Sequence, residues 1–146
     1  MEQGESIYEL LGGQELFSQP PGSPLQWDEL IRENRVPWAA VDHFKATLAA
    51  SNQVMAEILG VGSRTLSGRH DPDETLKAAV ADRLYRAAQV FAQAEAVFGS
   101  REAAREWLTT PQRGLGNAVP LSLLATHAGL NQVQDLLGRI EYGLPA

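Results

Sequence analysis

The sequence contains no cysteine, which excludes disulfides, thiolate metal sites and a cysteine nucleophile. It also lacks a long apolar run: nothing approaches the roughly 18 consecutive apolar residues that a membrane-spanning helix requires. The first ten residues, MEQGESIYEL, have neither the basic start nor the apolar centre of a secretory signal, so a cytoplasmic protein without membrane association is expected. Alternation of apolar and polar residues with period two is missing, and with it the signal for half-buried strands. His43, His70 and His127 lie far apart without paired carboxylate spacing, and no metal site is expected from them. No pair of carboxylates stands out as acid and base, and no signature marks a serine or threonine as a nucleophile. Arg113, Gly114 and Gly116 sit in a glycine-rich loop, but no lysine–serine/threonine pair follows and no strand precedes, as a phosphate loop would need. A protein that is not an enzyme and needs no cofactor is the expectation.

What is present is a chain of 146 residues with 44% apolar content, enough for one moderate core or two small helical units. Its net charge of −6 is unevenly placed. Residues 1–34 carry Glu2, Glu5, Glu9, Glu15, Asp28, Glu29 and Glu33 against Arg32 alone, while the remainder is close to neutral. This balance opposes strong nonspecific binding to nucleic acid but leaves room for a small basic face on one helix.

The chain reads as all-α. Residues 18–24, SQPPGSP, cannot hold a helix, because proline removes backbone donors and glycine raises the entropic cost of order. Residues 1–24 are therefore read as a flexible acidic arm. A short helix with Trp27, Leu30 and Ile31 is expected over 26–34, and a second over 37–49 with Val41, Phe44 and Leu48 on one face. Ser51 caps a helix to Leu59, Gly60 ends it, and a short segment from Ser63 to about Arg69 follows. Asp71, Pro72 and Glu74 form an N-terminus signature for a long helix, whose apolar positions run from Leu76 to Phe98 over roughly 25 residues, or about 40 Å. Ser100 caps a helix through Trp107 and Leu108, with Trp107 as a core residue whose loss would cost about 3–5 kcal/mol. Pro120 restarts a helix that Gly129 ends, and Asn131 caps a last one that stops at Gly143.

One local pattern carries function. In ASNQVMAEILGVGSRTLSGR, residues 50–69, Ala56 supplies a small residue where two helices cross, Gly60 a turn, and Val61 and Leu66 the apolar anchors of a helix-turn-helix. Ser63, Arg64, Thr65, Ser67 and Arg69 then lie on or beside the second helix, where hydroxyl and guanidinium groups reach phosphates or base edges. The alternative is a helical hairpin that keeps this shape without binding DNA.

The stretch from Arg83 to Gly143 resembles the toxin-binding domain of the Xre/MbcA/ParS antitoxin family. The resemblance rests on Arg83-Leu84 with Arg86, Val97-Phe98-Gly99, Trp107-Leu108 with Pro111, Leu115-Gly116, Pro120-Leu121 with Leu123-Leu124, Gly129, and Leu137, Ile140 and Gly143. RENRVPWAAVDHFKATLAASNQVMAEILGVGSRTL is similar to the Xre-like helix-turn-helix half of longer members. The implied organisation is a flexible arm over 1–24, a helix-turn-helix domain over 25–75 and a toxin-binding domain over 76–146, the two lobes joined by the long helix.

The resemblance implies an antitoxin of a type II toxin–antitoxin pair. Its partner would be a RES-domain toxin that degrades NAD or transfers ADP-ribose, masked by the antitoxin's C-terminal segment. Operator DNA would be bound by a homodimer within the larger complex, repressing the operon. Arg113, Leu115, Gly143, Leu144, Pro145 and Ala146 are the toxin-facing residues implied, the last three forming an apolar tip with a free carboxylate that an arginine would attract. The competing reading is a transcription regulator whose C-terminal half only dimerises or senses a ligand.

Overall fold

Hydroxyl caps decide where four of the helices begin. Ser23, Ser51, Ser100 and Thr126 each hold an extended backbone. Their side-chain oxygens accept from the amides of Gln26, Val54, Ala103 and Gly129 at 3.2, 3.2, 3.1 and 3.0 Å, satisfying donors that a helix start leaves open. The computed structural model describes residues 2–145 and is all-α. The extended pairings among the described residues are two isolated bridges, Pro37 with Thr75 and Gln112 with Ala118. No helix among the described residues is long and apolar enough to cross a membrane. The chain forms two compact units, one ending at Ala88 and one beginning at Gln89.

The first unit contains α1 (Glu2–Leu10), a 3₁₀ turn (Gly13–Glu15), α2 (Pro24–Arg32), α3 (Ala39–Leu48), α4 (Asn52–Leu59) and α5 (Ser63–Ser67), and takes in the start of α6 (Ala78–Phe98). The N-terminal segment is not the loose arm expected. Ile7, Leu10 and Leu11 are buried at the i, i+3, i+4 spacing of one helix face, and α1 packs on α3. Phe17 ties the segment down further, its ring 6.1 Å from Tyr8 and 5.5 Å from Trp27, the latter edge-on. Trp27 in turn lies 5.5 Å from Tyr85. Residues 17–23 carry no helix, as proline and glycine dictate there.

The long helix also starts later than its apparent capping signature. The segment after Asp71 runs beside residues 36–38: Leu76 donates its amide to the Val36 carbonyl at 2.8 Å, and the Glu74 carbonyl accepts from the Trp38 amide at 3.0 Å. Those backbone groups are committed to pairing and Leu76 is fully buried, so α6 begins at Ala78 and has 21 residues.

The second unit contains the end of α6, α7 (Arg101–Leu108), 3₁₀ turns at Arg113–Leu115 and Pro120–Leu123, and α8 (His127–Glu141). Phe91, Leu108, Val133 and Leu137 are fully enclosed, with Leu121, Leu124, Leu130 and Leu136 around them. Pro120 opens a single 3₁₀ turn, and α8 is one helix capped by Thr126 rather than two divided at Gly129. Gly129 lies inside α8, and the position takes glycine because a Cβ there would sit 2.1 Å from the Leu123 carbonyl oxygen.

Trp107 differs from expectation too. Its side chain is only half-buried, resting on Phe98 with ring centroids 5.4 Å apart, while its neighbour Leu108 is fully buried. Trp107→Ala is therefore expected to cost about 1–3 kcal/mol, less than a core tryptophan. Chemical denaturation of the variant checks this; a loss as large as that of Leu108→Ala would restore Trp107 to the core.

Candidate functional site

The helix-turn-helix geometry grows from Ala56. Its buried methyl lets the turn close over α4, and its carbonyl accepts from the Val61 amide at 3.0 Å. Gly60 ends α4 in the left-handed conformation, at φ 70°, with the Arg83 guanidinium against it. Leu66 is buried and pins α5 to the unit, while α4 and α5 pack on each other. The other face of α5 meets solvent: Ser63, Arg64, Thr65 and Ser67 are all exposed. Arg69 is exposed as well but lies beyond the last residue of α5.

These groups are not equivalent. The Ser67 hydroxyl donates to the Ser63 carbonyl at 2.8 Å, so part of its hydrogen-bonding capacity is spent within the helix. Beyond α5, Asp71, Asp73 and Glu74 are exposed and bring negative charge close to the chain after the exposed face of α5. Glu74 is bonded to the imidazole of His70 at 2.9 Å, and this bond holds its carboxyl below the ordinary range. No local sequence motif marks this role of His70.

In the second unit the glycine-rich loop is closed on itself. Gln112 and Ala118 pair through their backbones, the Gln112 amide donating to the Ala118 carbonyl at 3.0 Å. The Gln112 side-chain amide donates to the carbonyls of Trp107 and Thr110, both at 3.1 Å. This fold of the chain presents Arg113 to solvent and leaves Leu115 half-buried, with the turn that carries them packed on α8.

At the far end of α8 the backbone is fixed although the side chains are bare. Gly143 takes φ 68°, a left-handed conformation that favours glycine. Its amide donates to Ile140 at 3.2 Å, and that of Leu144 to Arg139 at 2.8 Å, closing the helix as a Schellman-type cap. Tyr142 and Leu144 nevertheless remain 76% and 56% exposed, with Pro145 exposed beside them. Ala146, the last of the residues expected here, lies outside the described residues. Tyr142 was missed by the sequence reading, yet it falls off the stripe of Leu130, Val133, Leu136, Leu137 and Ile140 that faces the core, a signal of exposure that was available.

Similarity to known proteins follows the same two units. Residues 29–89 match the antitoxin Xre-like helix-turn-helix domain, and residues 93–143 match the antitoxin Xre/MbcA/ParS C-terminal toxin-binding domain. The chain is 39% identical over 80 residues to antitoxin Xre of Pseudomonas putida, covering 55% of this chain and 50% of that protein. It is 39% identical over 93 residues to antitoxin Xre of Yersinia enterocolitica, covering 61% of this chain and 63% of the relative. These two alignments thus span about half to two-thirds of the relatives' lengths. With antitoxin Xre of Photorhabdus laumondii the identity is 31% over 126 residues, which is 86% of this chain and 84% of the relative. The last alignment runs through both units, and with the two domain matches it shows that the chain belongs to the Xre/MbcA/ParS antitoxin family.

Proposed function

We propose that this protein is an antitoxin that binds a RES-domain toxin and blocks its active site with the C-terminal segment, and that it represses its own operon through α4 and α5. The observation that carries the reading is the joining, in one chain, of a helix-turn-helix match and a toxin-binding match on separate compact units. The protein acts by binding and not by catalysis. Tyr142, Leu144 and Pro145 supply an exposed apolar patch on a fixed backbone, a form suited to entering a partner's pocket because little ordering remains to be done. Arg113 and Leu115 extend the toxin-facing surface.

On the DNA side the net charge of −6 opposes approach to a polyanion. A homodimer helps here, placing two α5 helices roughly 34 Å apart to meet successive major grooves. Co-expression with the adjacent reading frame tests the whole proposal: that frame encodes a RES-domain toxin, growth is restored and the two proteins copurify. A failure of both rescue and copurification would reject it.

Arg64→Ala tests the DNA contact alone. It is expected to weaken operator binding and to reduce the slope of log affinity against log salt by about 0.9, the value for one lost phosphate contact. Ser67→Ala has the smaller effect, since its hydroxyl already serves Ser63. Titration of operator DNA over a salt series reads both; unchanged slopes and affinities would move the contact off α5.

A further inference from the structure

α5 has five residues, scarcely more than one turn, and a helix of that length does not hold its shape by its own hydrogen bonds. Its N-terminal side is held by the Gly60 turn and its middle by Leu66. What fixes its C-terminal side is His70. The imidazole is stacked on Trp38 with centroids 3.9 Å apart and planes 6° from parallel. Its Nε2 lies 2.9 Å from the Thr65 carbonyl oxygen, and its Nδ1 lies 2.9 Å from Glu74 Oε2. The ring thus links α5, the following segment and the start of α3.

Both partners are acceptors, which sets the proton count. A neutral imidazole has one N–H and one lone pair, so either neutral tautomer turns a lone pair toward an oxygen, at Thr65 in one case and at Glu74 in the other. With a proton on each nitrogen both contacts are hydrogen bonds, one of them charge-assisted. Moving the proton to the carboxyl keeps the same count; the bond to His70 holds Glu74 below the ordinary carboxylate range, the direction in which a carboxylate accepting from the ring is favoured. The cation then rests on the indole face, an arrangement favoured by the ring quadrupole, and supplies a donor to a carbonyl at a helix C-terminus.

We infer that His70, as the doubly protonated cation, is a positioning residue that clamps the C-terminal end of α5, so that the presentation of Arg64 and its neighbours weakens as the pH rises and the second proton leaves. The ionised group bonded to the ring is Glu74. Among the other charged residues on these elements, Asp42 on α3, Glu57 on α4, Arg64 and Arg69 at α5, Asp71, Asp73 and Lys77 in the next segment and Arg83 on α6 are exposed, while Lys45 on α3 and the paired Asp82 and Arg86 on α6 are half-buried. The direction is fixed by the proton count: the clamp is complete with a proton on each ring nitrogen and loses one of its two contacts when either proton leaves. Its consequence for operator binding rests on the DNA-binding reading proposed above; the clamp itself does not.

The test uses the full chain and three measurements between about pH 5.5 and about pH 8, the span in which histidine changes charge. These are ¹⁵N NMR of the His70 ring, protection factors of the amides of residues 66 and 67, and operator titration. Protons on both ring nitrogens at the acid end are expected, with protection falling and operator affinity dropping about fivefold toward the alkaline end. Glu74→Gln gives the sharper result. An amide at position 74 can donate to Nδ1, so the neutral ring satisfies both contacts, and protection and affinity are retained at the alkaline end. His70→Gln flattens the pH response as well. A ring carrying one proton throughout, or a response that Glu74→Gln leaves intact, overturns the clamp. If the ring and the amides respond as stated while no operator binding occurs at any pH, the clamp stands and the DNA-binding reading falls.

Discussion

Gly129→Ala lowers the stability of the C-terminal unit by about 2–4 kcal/mol, a large fraction of what a small helical unit possesses. A Cβ at this position would lie 2.1 Å from the Leu123 carbonyl oxygen, 3.0 Å from its carbon and 3.1 Å from the Leu123 Cβ. The first two are backbone atoms and cannot rotate aside as a side chain would. Leu123 ends a 3₁₀ turn whose amide bonds run from Ser122 to Val119 and from Leu124 to Leu121, so relief requires α8 to move away from that turn. Such a shift loosens the packing of that turn on α8, where Leu121, Leu130 and Val133 are buried. The same helix contains its own control: around a Cβ at Gly138 nothing lies within 4 Å, so Gly138→Ala is expected to stabilise by up to about 1 kcal/mol through helix propensity. Thermal unfolding of the two variants side by side is decisive. A Gly129→Ala protein that melts at or above the parent would mean that the turn and α8 are not in close approach.

That glycine also marks where reading the sequence fails. Local rules place the starts of α4 and α7 correctly, because Ser51 and Ser100 are caps whose partners lie three residues on in the chain. The same rules take Gly129 for a helix end and Asn131 for a cap, since the real reason for glycine is an oxygen contributed by a different element. Asp71, Pro72 and Glu74 mislead in the same way: they satisfy every local requirement of a helix start, but residues 36–38 claim the backbone of this segment. For the N-terminal segment, composition points the wrong way. Its glutamates and the proline-rich stretch after it outweighed Ile7, Leu10 and Leu11, whose spacing already described one buried face.

The two candidate surfaces are legible in the sequence to different depths. A small residue, a glycine and two apolar anchors at fixed offsets define α4 and α5 almost completely, so the exposure of Ser63, Arg64, Thr65 and Ser67 follows from the pattern. His70 was not legible, because its partners are a main-chain carbonyl, a carboxylate and the indole of Trp38 at the start of α3, and no spacing rule encodes a stack on a distant ring. At the C-terminus the turn at Gly143 was readable from residue type. The exposure of Tyr142 needed the register of α8, which depended on finding where that helix begins.

The final expectation separates contact from stability at this end of α8. Tyr142 and Leu144 are 76% and 56% exposed, so replacing them changes folding by no more than about 0.5 kcal/mol. If they enter a toxin pocket, each becomes buried, and truncation of a central interface residue costs about 2–4 kcal/mol, or roughly 30- to 1000-fold in affinity. Point substitution is cleaner than deletion, since removing residues from 143 onward would also take away the amides that bond Ile140 and Arg139. Leu144→Asp, alone and with Tyr142→Ser, is therefore expected to melt like the parent yet fail to copurify with the toxin or restore growth. Arg113→Ala, at an exposed position on the neighbouring turn, should weaken binding by a smaller factor and leave melting unchanged as well. Full rescue by the double variant at equal abundance would show that the tip of α8 is not what fills the toxin, and would shift the search for the contact to the turn that carries Arg113 and Leu115.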